Sequence, residues 1–181
     1  MKEIANLTST DLWELQVDLE DYAGKQYFAR YHNFMVNNEK QGPYSLKLSG
    51  YDAANSTLID SLSHASGAPF STSDNDNDKW SRNCAAEFKG AWWYTACHSS
   101  NLNGYNYFIE DLPKNSTYYA NGIVWRNENN VLNQDHYFSW PKVEMKIRKR
   151  MTADPQCGRE GSSCKKLRSG KIVTKNTFFC M

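Results

Sequence analysis

No apolar run in this chain approaches the roughly 20 residues that a helix needs to span a bilayer. With a mean hydropathy of −0.75, a transmembrane protein is excluded. The opening Met1 to Ser9 holds Lys2 and Glu3 and no apolar stretch of signal-peptide length, so nothing within the sequence is expected to direct secretion. No Cys-x-x-Cys pair is present either, which removes the usual zinc and redox motifs. What the protein does have is aromatic side chains: 6 Trp, 11 Tyr and 8 Phe, or 14% of 181 residues. That share argues against disorder, and the length is that of one globular core.

The net charge of +1 hides an asymmetry. Residues 141 to 181 carry 11 Lys or Arg against 3 Asp or Glu, and the residues before them carry 10 against 17. The end is thus +8 and the remainder −7. A solvated terminus is the commoner origin of such a tail, so no nucleic-acid partner is expected. Five cysteines, Cys84, Cys97, Cys157, Cys164 and Cys180, leave at least one thiol free or paired with another molecule if the rest are oxidised. Three glycosylation tripeptides, beginning at Asn6, Asn55 and Asn115, fit an extracellular surface without deciding it.

Trp13, Leu15, Val17 and Leu19 alternate with Glu14, Gln16, Asp18 and Glu20. A period of two puts one face on a core and the other in water, which predicts a strand. Ala23-Gly24-Lys25 reads as a turn into a partner strand over residues 26 to 32. A third element with Tyr44, Leu46 and Leu48 on one side is expected to end at Gly50, and Val143, Met145 and Ile147 predict a last strand that returns to the first sheet. The sheet is therefore read as antiparallel. From Asn55 to Cys97 the periodicity disappears. A loop of that length inside a compact domain needs an organiser such as a metal or a disulfide.

Asp74-Asn75-Asp76-Asn77-Asp78 places carboxylates at alternate positions, where like charges repel unless a cation lies among them. Hard oxygen donors suit calcium, which takes 6 to 8 of them at about 2.3–2.6 Å. An EF-hand does not fit: Lys79 falls where that loop needs Gly, and Ala85 where it needs the bidentate Glu. The five residues alone leave a solvated acidic turn equally open.

Asn83-Cys84, followed by Trp92-Trp93-Tyr94-Thr95-Ala96-Cys97-His98 and Asn101-Leu102-Asn103-Gly104, resembles the signature of the fibrinogen C-terminal domain family, which includes ficolins, tachylectins, angiopoietins and tenascins. The resemblance runs from about Ile4 to Arg148. It implies an α+β fold, with a central antiparallel sheet and a loop-rich half that binds calcium and carries the recognition site. It also implies a domain over residues 1 to 150 that is incomplete at its N-terminus, lacking the family's opening disulfide and one sheet strand. Residues 151 to 181, with Cys157, Cys164 and Cys180, are left as a basic tail that matches nothing in the family.

By the same resemblance, calcium is held by the side chains of Asp76 and Asp78 and the backbone carbonyls of Trp80 and Arg82, the last standing where the family usually has Gly. Cys84 pairs with Cys97. An acetyl-binding pocket is implied at Phe88, at Ala96, Cys97 and His98 behind a cis peptide, and at Tyr119 and Ala120, with apolar walls for a methyl group and a few polar donors for its carbonyl. Fibrin-type pockets place acidic residues where Phe88 and Ala120 stand, so binding of a cationic peptide end is not expected. Cys97 as a nucleophile with His98 as its base is disfavoured, because adjacent residues rarely aim both side chains at one reacting atom. The resemblance thus implies a secreted, non-enzymatic lectin-like module for acetylated glycans in innate recognition. The alternative is a ligand of cell-surface receptors or matrix proteins.

Overall fold

The computed structural model describes residues 1–107, 119–126 and 139–150. The candidate Asn115 and the tail bearing Cys157, Cys164 and Cys180 lie outside the described residues. Helix α1 (Lys2–Thr8) leads into β1 (Trp13–Glu20), β2 (Gln26–Val36) and β3 (Leu46–Tyr51); β6 (Lys142–Lys149) completes a four-stranded sheet in the order β3-β2-β1-β6. Every neighbouring pair is antiparallel. β1 is paired along its whole length with β6, from Trp13 opposite Lys149 to Glu20 opposite Lys142, so the last strand does return to the first.

Alternation decides the two faces. Leu15, Val17 and Leu19 are fully buried, while Glu14, Asp18 and Glu20 meet Arg148, Lys146 and Lys142 of β6 across the solvent face. Lys146 also reaches Glu144 at 2.7 Å. A shallow depression on this face is lined by these same paired charges. Each buried aliphatic side chain contributes about 1.5–3 kcal/mol, whereas exposed ion pairs are worth at most about 1 kcal/mol each. Burial of the apolar face therefore dominates.

Three boundaries differ from the sequence reading, which starts the third strand at Pro43: β3 begins at Leu46, since Tyr44 takes φ 50° and stays outside the strand. β2 continues past His32 to Val36, because its burial phase slips: Tyr27, Ala29 and Tyr31 are buried, His32 and Asn33 are both exposed, and burial resumes at Phe34 and Val36. A strict period-two template loses the strand at that slip. Gly50 does not end β3 but sits within it at φ 72°, and a Cβ there would lie 3.0 Å from that of His32. The left-handed backbone suits glycine, and pairing resumes at Tyr31–Tyr51.

Helix α1 closes one edge of the core. The Thr8 hydroxyl donates to the Ile4 carbonyl at 2.9 Å and accepts from the Val36 N–H at 3.0 Å. Asn6 is exposed on that helix, and Asn55 is exposed in the short 3-10 turn Ala53–Asn55.

Residues 58 to 107 hold little regular structure: a 3-10 turn Ser63–Ala65, a one-turn helix α2 (Cys84–Glu87) and isolated bridges such as Ser71–Trp92. A small second sheet pairs β4 (Ser100–Asn101) with β5 (Val124–Trp125). Leu58, Leu62, Trp92, Trp93, Tyr94 and Leu102 are nevertheless buried in one cluster with the apolar face of the large sheet. Packing against the sheet is thus an organiser of this half that the loss of periodicity concealed.

Candidate functional site

The acidic loop is shaped by its own side chains. The Asp78 carboxylate accepts from the Trp80 N–H at 2.8 Å and from the Cys84 N–H at 2.8 Å, and Asp76 accepts from the Asp78 N–H at 3.1 Å. Asn83 caps α2 by accepting from the Ala86 N–H and donates to the Thr72 and Ser73 carbonyls. Burial raises the pKa of Asp78, the two N–H donors oppose that, and the neighbouring Asp76 carboxylate raises it further. Two carboxylates are therefore held against each other at a cost to ionisation. Among the described residues the carbonyls of Trp80 and Arg82 accept no hydrogen bond, and no three His, Cys, Asp or Glu side chains converge as a metal cluster. Carboxylates and uncommitted carbonyls are the hard oxygens that calcium takes, so these residue types suit that ion. Arg82 is not among the residues with positive φ, so its replacement of Gly carries no left-handed strain.

The loop is fastened to a second one. Cys84 and Cys97 form a disulfide with Cα atoms 5.7 Å apart, and the Lys79 N–H donates to the Thr95 carbonyl at 2.9 Å. A disulfide sulfur is no thiolate, which removes Cys97 as a nucleophile in this state. The Ala96–Cys97 peptide is cis, and the Cys97 carbonyl accepts from the Thr95 N–H at 2.8 Å.

His98 follows at the centre of an aromatic group. Phe88 meets it edge-on with centroids 4.8 Å apart at 90°, and Tyr94 lies 5.8 Å away. Trp80 is 6.3 Å from Phe88 at 31°, which brings an aromatic ring to the site that the sequence reading used only for its carbonyl. Of the predicted pocket residues, Phe88, Cys97 and His98 are half-buried and Ala96 is exposed. Tyr119 is 47% exposed, and Ala120 is buried with φ 58°. These two precede Asn121 and Gly122, which are tied to Tyr105 by a backbone bond of 2.8 Å and a bridge.

Asn101 belongs to the signature run, yet the sequence reading gives it no role. Fully buried, it accepts from the Tyr94 hydroxyl at 2.9 Å and donates to the Phe88 carbonyl at 3.0 Å. Burial, and the charge of Asp78, push the Tyr94 phenol well above its ordinary value, so it remains a neutral donor. Asn103 donates to the Ala91 carbonyl at 2.9 Å. A Cβ on Gly104 would stand 1.9 Å from the Gly122 carbonyl oxygen, which explains the glycine that closes the Asn101-Leu102-Asn103-Gly104 run: two backbones approach too closely there for any side chain.

A disulfide-stapled acidic loop and an aromatic group around His98, packed on the apolar face of an antiparallel sheet, define a fibrinogen-like recognition domain. The protein belongs to the family described as fibrinogen beta and gamma chains, C-terminal globular domain, whose model matches residues 1–150. It is 39% identical over 142 residues to Ryncolin-4 of Cerberus rynchops, an alignment that takes in 78% of this sequence and 37% of that protein. Tenascin-R of Rattus norvegicus is 40% identical over 142 residues, 78% of this sequence and 9% of that protein. Among solved structures, the fibrinogen-like globe domain of human ANGPTL6 superposes with a TM-score of 0.69 at 36% identity, over 82% of this sequence and 62% of that one. The protein thus spans less than two fifths of the length of these two curated relatives and about three fifths of that solved domain.

Proposed function

We propose that this protein is a non-enzymatic extracellular recognition module that binds acetylated sugars in the cleft of Phe88, Ala96, Cys97 and His98, with Tyr119 and Ala120 as the facing wall. The observation that carries this reading is the Phe88 ring standing edge-on to His98 beside the cis Ala96–Cys97 peptide. A small methyl group suits the apolar side of such a site, and backbone N–H groups suit the acetyl oxygen. Calcium, held by Asp76, Asp78 and the carbonyls of Trp80 and Arg82, supplies the positive charge that relieves the repulsion between the two carboxylates. The Lys79–Thr95 bond and the Cys84–Cys97 disulfide connect that loop to the cleft, so the metal shapes the site without touching the ligand. Extracellular placement is supported by the disulfide, by the exposed Asn55 tripeptide and by membership of the family.

The test is retention of the oxidised, calcium-loaded protein on an N-acetylglucosamine resin, elution by free N-acetylglucosamine, and loss of retention for His98→Ala. No retention of a folded sample overturns the reading. The second reading, a ligand for a receptor or matrix protein, is favoured by the relation to Tenascin-R and the ANGPTL6 domain and by the exposed rings of Tyr105 and Tyr119. It expects His98→Ala and Tyr119→Ala to leave binding through another surface intact.

A further inference from the structure

β6 is an outer strand of the sheet, bonded to β1 on one side. One bond fixes which of its backbone groups face β1: the Arg150 N–H donates to the Leu12 carbonyl at 2.8 Å, one register step beyond the Trp13–Lys149 pair. Backbone groups alternate sides along an antiparallel strand. Lys142, Glu144, Lys146 and Arg148 therefore bond to β1, and Val143, Met145 and Ile147 turn their N–H and C=O groups outward. The same alternation carries through the sheet to β2, whose Phe28 and Arg30 bond outward to Thr57, Ser56 and Asp52. Among the described residues no hydrogen bond reaches the outward groups of β6. The strand pairs with β1 along its whole length without a bulge and holds neither proline nor glycine, so its edge lacks the usual devices that turn another strand away. On the core face, Val143 and Ile147 flank the buried Met145 and are themselves only half-buried.

We propose that β6 is the pairing edge of a symmetric homodimer in which the sheets of two copies join as one. The strand is its own complement. Laid antiparallel about Met145, two copies set Met145 against Met145 and Val143 against Ile147, with their outward N–H and C=O groups facing one another. On the solvent face, Glu144 of each copy then stands opposite Lys146 of the other, a favourable cross-strand pair that occurs twice. Lys142 falls opposite Arg148, but each already holds a carboxylate of β1, Glu20 at 3.0 Å and Glu14 at 2.7 Å. An axis at Ile147 instead would set Lys146 against Arg148, so charge selects the register centred on Met145. An edge of this length buries less than the roughly 1,200 Å² of a stable interface, and the dimer is accordingly weak, with a Kd of about 10–100 µM.

Sedimentation equilibrium of the full chain, with thiols outside the Cys84–Cys97 disulfide alkylated, should show the mass rising from monomer toward dimer between about 10 and 500 µM. Over that range the Val143, Met145 and Ile147 amides should gain protection from hydrogen exchange, while those of Glu144 and Lys146, already bonded to β1, change little. Val143→Pro removes an outward donor and spares the β1 ladder, and should weaken association about ten-fold. Glu144→Lys and Lys146→Glu each place like charges opposite one another and should each weaken self-association about ten-fold. An equimolar mixture of these two variants should restore it, because every crossing pair is then opposite in sign; this rescue decides the matter if the proline variant fails to fold. A parent that stays monomeric at 500 µM, association indifferent to the variants, or a mixture that does not recover overturns the dimer. Protection of the three outward amides that does not depend on concentration overturns it too, by assigning the edge to another segment of the chain.

Discussion

The two halves of this domain are ordered by different means. In the sheet half, β1, β2, β3 and β6 satisfy their backbone groups on one another, and alternate side chains form the core. In the half from Leu58 to Tyr107, backbone–backbone bonds are scattered rather than laddered, and side chains supply many of the remaining partners: Asp78 accepts from two N–H donors, Asn83 and Asn101 bond to separate segments, and the Ser71 hydroxyl accepts from the Asn77 N–H. The first arrangement is cooperative and repetitive. The second depends on particular residues, so each substitution there has local consequences, and that is where a site with special geometry is built.

The contrast is broken most severely from the sheet side. Leu15→Ala, at a fully buried position of the central strand β1, should cost about 4 kcal/mol and lower the melting temperature of both halves together. A chemical-denaturation midpoint reports it, and separate transitions for the two halves would show that the loops do not depend on the sheet. Removing the Cys84–Cys97 disulfide by the double alanine substitution should cost about 3 kcal/mol for a loop with a sequence separation of 13. Here hydrogen exchange should accelerate in residues 74 to 98 while the β1–β2 amides stay protected. Uniform acceleration would place the disulfide in the global stability of the molecule.

Asn101→Ala sharpens the comparison at a single residue. It strands the buried Tyr94 hydroxyl and the Phe88 carbonyl, which should cost about 2 kcal/mol, and it should weaken acetyl-sugar binding because Phe88 loses a support. Unchanged sugar affinity would mean that the Phe88 ring is placed by packing alone.

The smallest effect is on the charged edge of the sheet. The Lys142 ammonium holds Glu20 below its ordinary 4.5, and the Lys25 N–H holds Asp21 below its ordinary 3.8. Groups depressed in the folded state stabilise it above the ordinary values and lose that contribution as pH falls through the folded ones. The melting temperature should therefore decline as pH falls below the ordinary 4.5 of Glu20, less steeply for Lys142→Ala and less in high salt. A decline unchanged by that substitution would assign the acid sensitivity to other carboxylates.

Where order repeats, the sequence was legible. The alternation over β1 and β6 located both strands and their common sheet, and the period-two reading failed at Tyr44, at the His32–Asn33 slip and at Gly50, where the backbone departs from a regular pleat. The acidic loop, the disulfide and the cleft were legible through a resemblance rather than through periodicity, since residues 74 to 104 repeat nothing. Trp80 beside Phe88 and Asn101 beneath it were not legible as partners of the cleft. They lie 8 and 13 residues from Phe88 without a helical or strand spacing to connect them.

By itself the sequence determined which residues are apolar at period two, and so which face of β1 and β6 leaves water, because side-chain direction in a strand alternates whatever the rest of the molecule does. It also set the supply of carboxylates, cysteines and rings. Only the tertiary structure decided that Gly104 meets Gly122, that Asn101 reaches the Phe88 carbonyl, and that Trp80 meets Phe88 and Phe88 meets His98. Those contacts depend on where separate loops come to rest, and that is set by their burial against the sheet rather than by any local preference of the backbone.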